Sequence, residues 1–291
     1  MATIYWTGGA GDGDWVTAGN WSGGAAPVNG DVVYIDRTTD NITLNLDQSA
    51  VTLDGLFITS EFEGTIGNGL DETDEFLQIA VDGNNGNVVI GEGDGNNSQR
   101  LNLDLGNTVC NIDIRNTQTT GLDSPKSPVR IKCNNSSNVI QINGDASNVS
   151  FNDDPSLSVQ ALGTITVFET NNAYIGPGST YTELNVISGT VLVAEAQGSN
   201  QIQGGTVTFE GSTAISEIIQ TDGTVINNST GTVTTYTGRG GILDLQQSAF
   251  ARTITTLTKS PDFTLLYDDS VTITNDNLDT DFKQLTIAVT N

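Results

Sequence analysis

Residues 189–226 read GTVLVAEAQGSNQIQGGTVTFEGSTAISEIIQTDGTVI, and this stretch decides the fold. The tripeptide Gly-Thr-Val, or its Gly-Thr-Ile variant, begins at Gly163, Gly189, Gly205, Gly223 and Gly231. The first three intervals are irregular but each is close to the spacing of about 20 residues that is typical of β-solenoids. In such folds each coil holds two or three short strands and neighbouring coils pair in parallel. The much shorter last interval, from Gly223 to Gly231, fits a second face of one coil.

The same strand pattern extends outward over most of the chain. Short segments alternate apolar and polar residues and are bounded by Gly, Asn, Asp or Ser. The clearest are residues 42–46, 76–81, 101–105, 111–114, 129–131, 139–142, 165–168, 184–186, 190–193 and 206–209. No window carries the apolar stripe of a helix. We therefore predict an all-β fold, a β-solenoid, with a β-sandwich as the alternative because regular alternation suits both.

The chain divides into three regions by composition. Residues 1–36 contain all three tryptophans in a glycine-rich setting and form an N-terminal cap or docking segment. Residues 37–250 form the solenoid body. Residues 251–291 hold apolar segments separated by acidic turns, which predicts final coils or a C-terminal cap. Solenoids need caps because an open end exposes core and unpaired strand edges.

The composition is acidic and lacks histidine. The 291 residues include 35 Asp and Glu against 10 Lys and Arg, a formal charge of −25. Such a chain repels polyanions, so it does not bind nucleic acid by phosphate neutralisation. Without histidine there is no Ser-His-Asp triad and no His-ligated zinc. No apolar run approaches the length of about 18 residues that spans a bilayer, so we expect no membrane partner.

The N-terminal region carries a Trp- and Gly-rich pattern. It comprises Trp6-Thr-Gly-Gly9, Gly11-Asp-Gly13, Trp15, Gly19-Asn-Trp-Ser22, Pro27, Gly30-Asp-Val-Val33 and Ile35. This pattern occupies most of region 1–36 and resembles the opening of large autotransporter-like bacterial surface β-helix proteins and of some phage virion proteins. The resemblance implies a right-handed parallel β-helix whose first coil is sealed by packed indoles.

The start of the sequence distinguishes these two groups. It has neither the basic segment nor the apolar core of a secretory leader. Surface proteins of the resembled kind carry such a leader, whereas phage particles assemble in the cytoplasm and leave by lysis. We therefore expect a virion component made in the host cytoplasm, with the bacterial cell surface as the alternative location.

The three tryptophans are the candidate binding or docking residues. Trp6, Trp15 and Trp21 fit either an exposed platform for sugar rings or a buried seal over the first coil. Large aromatic side chains mostly bury their area, which favours the seal. Docking then takes place through the end of the rod that these residues close.

Acidic, glycine-rich clusters are the candidate metal sites. They contain Asp12, Asp14, Asp71, Glu72, Asp74, Glu75, Glu92 and Asp94. Ca²⁺ takes six to eight oxygen ligands, but these clusters repeat no calcium-binding unit. We expect solvated turns with no metal and no cofactor, and Ca²⁺ is the alternative.

The two cysteines, Cys110 and Cys133, are separated by roughly one coil. This spacing predicts reduced core thiols in adjacent coils, with a disulfide as the alternative.

Two short motifs raise the question of glycan cleavage. Arg130-Ile-Lys132 and Asp153-Asp154 resemble motifs of polygalacturonases, but their order is reversed and the Gly-His-Gly element of that family is absent. We therefore expect no enzymatic activity. A hydrolase needs only two carboxylates, so a groove holding such a pair, with one raised pKa, would indicate an enzyme.

These observations predict a non-enzymatic structural or interaction protein of a bacteriophage virion, as a capsid decoration or a fibre or spike subunit. The expected partners are the major capsid or tail protein and further copies of the chain, with a trimer favoured, and a host-surface glycan is an additional candidate. The alternatives are a bacterial surface β-helix adhesin and a glycan-depolymerising β-helix enzyme.

Overall fold

The structure, a computed structural model, describes residues 2–36, 38–68, 75–82, 86–93, 100–117, 127–144, 148–154, 156, 159–170, 172–195, 197–248 and 250–278. In these residues the chain winds as a β-solenoid, and nearly every coil gives one strand to each of two long sheets. All described pairs of strands are parallel. The predicted β-solenoid is therefore confirmed and the β-sandwich alternative is wrong, because hairpin-connected strands of a sandwich pair antiparallel. The right hand of the coil stays a prediction.

The described strands, in chain order, are β1 (Thr3–Trp6), β2 (Val32–Ile35), β3 (Asp47–Leu53), β4 (Gly55–Thr59), β5 (Thr65–Ile66), β6 (Leu77–Val81), β7 (Asn87–Glu92), β8 (Arg100–Asp104), β9 (Asn111–Ile114), β10 (Val129–Lys132), β11 (Val139–Ile142), β12 (Asn148–Phe151), β13 (Gln160–Ala161), β14 (Thr164–Val167), β15 (Asn172–Ile175), β16 (Ser179–Thr180), β17 (Glu183–Val186), β18 (Thr190–Val193), β19 (Ser199–Ile202), β20 (Thr206–Phe209), β21 (Ile215–Gln220), β22 (Thr224–Asn227), β23 (Val233–Gly238), β24 (Gly241–Asp244), β25 (Arg252–Lys259), β26 (Phe263–Leu266) and β27 (Val271–Leu278). One short 3₁₀ helix covers Ala18–Asn20.

The strands are shared between two faces of the rod. Sheet I has 13 described strands, in the order β1-β2-β4-β7-β9-β11-β14-β17-β19-β21-β23-β25-β27. Sheet II runs from β3 through β6, β8, β10, β12, β15, β18, β20, β22 and β24 to β26, and β5 pairs at its side with β8. The short strands β13 and β16 form a small third pair on one corner.

Alternation places the core between sheets I and II. In β14, Ile165 and Val167 are buried and the two threonines are half-buried. Ile165 pairs with Ile140 of the coil before and Leu184 of the coil after, so apolar side chains stack in register along the rod. The pleat sends successive residues to opposite faces, which turns a period of two in sequence into one buried column and one outer column.

The coils in the C-terminal half of the rod are shorter than those in the N-terminal half. In the middle of the rod Asn111 pairs with Val139, whereas further on Glu183 pairs with Ser199, which is much closer in sequence. Because the strands in these coils have the same length, the difference lies in the corners that connect the two sheets. The longer coils therefore carry larger loops on the same core.

The Gly-Thr-Val tripeptides mark one corner of the rod. Gly189, Gly205, Gly223 and Gly241 each stand at the start of a sheet II strand and stack on successive coils. The amide of Thr206 donates to the carbonyl oxygen of Gly189, and the next two coils repeat this bond. The tripeptides at 163 and 231 precede strands of sheet I instead, which confirms that the short interval between 223 and 231 is a step between two faces.

One hydrophobic core joins all three predicted regions. The core cluster extends from Ile4 to Phe263. Strands β1 and β2 in region 1–36 belong to sheet I, and β25–β27 in region 251–291 continue both sheets. The described parts of the terminal regions are therefore coils of the same solenoid, and residues 279–291 lie outside the described residues.

Candidate functional site

The three tryptophans close the N-terminal end of the core. Trp6, Trp15 and Trp21 have relative exposures of 2%, 0% and 3%. The ring of Trp21 meets Trp6 edge-on with centroids 5.0 Å apart and meets Trp15 in the same way at 4.8 Å. Edge-to-face contact is a favoured geometry for such rings. The predicted seal is confirmed, and the sugar-stacking platform is wrong for these side chains because they offer no open face.

Hydrogen bonds hold the seal in place and cover the first strand edge. The indole Nε1 of Trp21 donates to the carbonyl oxygen of Trp15 at 2.6 Å, and that of Trp6 donates to the carbonyl oxygen of Asp40 at 3.2 Å. Trp21 forms an antiparallel bridge with Trp6, and the amide of Ser22 donates to the carbonyl oxygen of Tyr5. The outer edge of β1 is thereby paired, which removes a template for edge-to-edge aggregation.

Asn20 organises the glycine-rich loop beside the indoles. Its side chain is fully buried; the amide nitrogen donates to Asp12 Oδ1 at 2.6 Å and to the carbonyl oxygen of Asp14 at 2.9 Å. Its oxygen accepts from the amide of Ala10 at 2.9 Å. The bond from Asn20 lowers the pKa of Asp12. Asp12 is therefore already engaged in the loop, and the motif Gly11-Asp-Gly13 has a structural role.

An aromatic ladder follows the outer face of sheet I at this end. Tyr5, Tyr34 and Phe57 are register partners in β1, β2 and β4. Their rings stack with centroid distances of 5.2 and 4.7 Å. Each ring covers the face of its neighbour, and Tyr5 is the end of the stack because β1 is the first strand of sheet I. We did not predict this ladder from the sequence, although its signal is an aromatic residue at the outward position of three successive coils.

The two polygalacturonase-like motifs meet on sheet II. Arg130 Nε lies 2.8 Å from Asp153 Oδ2, and its terminal nitrogen donates to Asp153 Oδ1 at 2.9 Å. Ser150 Oγ also donates to Asp153, at 2.6 Å. Arg130 and Asp153 are both buried. Both oxygens of Asp153 are therefore engaged within the protein, which is a structural arrangement and not that of a catalytic acid.

Lys132 joins this network to a cleft. Its Nζ lies 4.0 Å from the ring centroid of Phe76 and 3.6 Å from Asp154 Oδ2. The guanidinium carbon of Arg130 lies 5.1 Å from the same ring, so one buried phenyl ring receives two cations. Cation–π contacts of this kind stabilise a desolvated charge.

The cleft beside Lys132 has a volume of about 460 Å³ and lies between the 43–47 segment and sheet II. Asp47, Glu75 and Asp104 line it together with Lys132 and Phe76. Hydrogen bonds from Ser49 lower the pKa of Asp47, which keeps this carboxylate ionised. A general acid needs the opposite shift, so Asp47 lacks the property expected of a glycosidase acid.

Of the acidic candidates for a metal site, Asp12, Asp14, Glu75 and Glu92 lie in the described residues, as do both cysteines. Within the described ranges, no three Cys, Asp or Glu side chains come together as a group that could hold a metal ion. Asp71, Glu72, Asp74 and Asp94 lie outside the described residues. Cys110 and Cys133 are buried free thiols, as predicted, and burial raises the pKa of Cys110 to about 11.

Comparisons of the chain with known proteins identify no similar protein. No family model, curated protein or solved structure matches the chain. The described part of the chain also contains no helix with the length and apolar character that a membrane-spanning segment needs.

Proposed function

We propose that this chain is a non-enzymatic structural protein of a bacteriophage virion, as a capsid decoration or as a fibre or spike subunit. The observation that carries the proposal is one core from Ile4 to Phe263 under two parallel sheets, sealed by tryptophans at the N-terminal end. Thirteen strands at the usual spacing of about 4.8 Å make a rod roughly 60 Å long. A rod with one closed end suits a projection from a particle.

The surface supports the same role. The formal charge of −25 keeps particles dispersed through mutual repulsion. Backbone groups of successive coils bond to each other, which leaves little unpaired chain for a protease. The resemblance of region 1–36 to the opening of phage virion and surface β-helix proteins supports a particle or an envelope as the location.

The proposed partners are the major capsid or tail protein, which contacts the sealed N-terminal end, and two further copies of this chain. Val16 and Val28 are exposed apolar residues on the N-terminal segment and suit such a contact. Sedimentation equilibrium of the purified chain tests the trimer, and a single species at one chain mass contradicts it.

Immunogold labelling of the source particles tests the location. The antibody is raised against residues 251–291, at the end of the chain opposite to the seal. Regular labelling over the shell indicates a capsid decoration, and labelling at the tail alone indicates a fibre or spike. Labelling of a bacterial envelope without particles would overturn the proposal in favour of the surface adhesin.

The glycan-cleaving alternative has one supporting observation, the three carboxylates in the cleft beside Lys132. A reducing-end assay on host polysaccharide tests it, with Asp104→Asn as the variant and Asp12→Asn, outside the cleft, as the matched control. We expect no product from any of the three proteins. Product from the parent chain and the control, but not from Asp104→Asn, would establish the enzyme.

A further inference from the structure

A second cleft lies at the other end of the rod, where three successive corners from sheet II to sheet I stack. It has a volume of about 390 Å³, within the range of roughly 300–1,000 Å³ for small-ligand sites. Glu210 and Gly211 come from the first corner, Asn228 and Thr230 from the second, and Gln247, Ser248 and Phe250 from the third. None of these residues belongs to the tryptophan seal or to the cleft beside Lys132.

The third corner is enlarged, and the enlargement exposes Phe250. The register step from Val233 to Ile254 is longer in sequence than the preceding step from Ile215 to Val233. The extra residues fall in the corner between β24 and β25, which contains Phe250. Its side chain is 64% exposed. An aromatic side chain held out beside a polar cleft has an open face for a ligand.

A buried arginine fixes two walls of this cleft. Arg252 is 2% exposed; one terminal nitrogen donates to the carbonyl oxygen of Asn227 at 3.0 Å and the other to the carbonyl oxygen of Ser248. The carbonyl group of Asn227 ends β22, directly before the second corner, and that of Ser248 belongs to the third corner. Because the guanidinium is planar and rigid, it holds the two corners at a fixed separation. The enlarged corner is therefore anchored at both sides of the cleft.

The polar groups of the walls can bind a ligand. Within the described residues the side-chain oxygen of Asn228 accepts no hydrogen bond, although it is buried. Asn228 lines the cleft, and its amide side chain can offer both a donor and an acceptor there. Glu210 forms no ion pair within the described residues and supplies further acceptors. The described residues that line the cleft include no Lys or Arg.

We propose that this corner cleft binds an uncharged sugar ring of a host-surface glycan. Phe250 stacks on the apolar face of the ring, while Asn228, Gln247 and Glu210 bond its hydroxyl groups. Three corners at a spacing of about 4.8 Å give polar groups over about 10 Å, which suits one or two hexose units. Glu210 and the charge of −25 disfavour acidic sugars. Apart from Glu210, the described residues that line the cleft are uncharged, and their polar groups match sugar hydroxyl groups.

The inference rests on the proposed function only in its choice of a host glycan, and its test needs no virion. The purified full chain is applied to an array of uncharged glycans, and hits are measured by saturation-transfer NMR with the free oligosaccharide. Phe250→Ala should weaken binding at least tenfold, and Phe250→Trp should retain it with a change in fluorescence. Tyr267→Ala removes an exposed aromatic side chain outside the cleft and should leave the affinity unchanged.

Three results would overturn the inference: no binding to any uncharged glycan, equal binding by parent and Phe250→Ala, or binding of a lysine-rich peptide in place of glycans. Circular dichroism of each variant confirms that its fold is intact. If the array succeeds and virion labelling fails, the cleft stands and the phage role falls. If virion labelling succeeds and no glycan binds, the phage role is supported and the glycan-binding cleft is refuted.

Discussion

Replacing Gly205 with alanine tests the glycine corner that sets the register of sheet II. Gly205 has φ +72°, and a Cβ added there would lie 2.8 Å from the backbone nitrogen of Gly189 and closer still to its carbonyl oxygen. The neighbour is backbone and cannot rotate away. The same carbonyl oxygen accepts the amide of Thr206 at 2.8 Å, so moving it stretches a bond between coils.

The expected loss combines two costs. Holding an L-residue in the left-handed region costs about 1–2 kcal/mol. The steric contact adds the weakening of an inter-coil hydrogen bond and local overpacking, about 1–2 kcal/mol more. Gly205→Ala should therefore lower the free energy of unfolding by about 2–4 kcal/mol.

Gly106→Ala is the matched control. Gly106 has φ +63°, but a Cβ there meets no atom within 4 Å. This variant should carry only the conformational cost of about 1–2 kcal/mol. The difference between the two variants therefore isolates the contact between coils.

Equilibrium urea unfolding of both variants measures this difference. Far-UV circular dichroism reports the sheets, and tryptophan fluorescence reports the N-terminal seal. Equal losses in the two variants, or a Gly205→Ala loss below about 0.5 kcal/mol, would refute the steric argument.

Three further predictions concern buried polar groups. Arg130→Met removes the cation that pairs with buried Asp153 and should lower the free energy of unfolding in urea by about 3–5 kcal/mol. The double variant Arg130→Met with Asp153→Leu should recover most of this loss, and a double variant as unstable as the single one argues against the ion pair. Cys110 and Cys133 should resist a thiol reagent at pH 8 and react fully in denaturant, because burial raises both pKa values; rapid native labelling contradicts this. Burial raises the pKa of Tyr181 above the ordinary value of 10.0. Its contribution to stability is therefore complete below pH 10 and falls at higher pH, where the phenol ionises in the unfolded chain. Absorbance titration should show this phenol ionising only when the protein unfolds, and ionisation in the folded protein near pH 10 contradicts the burial.

The fold is largely predictable from the sequence because a solenoid is made of local patterns. Alternation in segments such as 139–142 and 206–209 corresponds to β11 and β20. The glycines at 189, 205 and 223 adopt the left-handed region, which is typical of a tight corner. The tryptophans are predictable as a seal because their area is too large to leave in water.

Other features depend on contacts between distant coils. The strand Ser199–Ile202 is mostly polar and has no clear alternation in sequence, so it is not predictable as a strand. Its Asn200 is buried because the hydroxyl of Tyr181, from another coil, donates to its side-chain oxygen at 2.8 Å. Segment 42–46 forms isolated bridges instead of the predicted strand, since the carbonyl oxygen of Leu44 accepts from the amide of Trp15 in the N-terminal loop. The corner cleft requires knowledge of which corners stack, which spacing in the sequence does not give.

The shortening of the coils has a consequence for the molecule under tension. A force applied to the two ends of the chain peels coils away one at a time, because each coil bonds only to its neighbours. Releasing the coil from Asn111 to Val139 lengthens the chain by about 95 Å, whereas releasing the one from Glu183 to Ser199 yields about 55 Å. Single-molecule extension would therefore record longer rupture steps for the N-terminal half of the rod than for the C-terminal half, and the step size would indicate which half is unfolding.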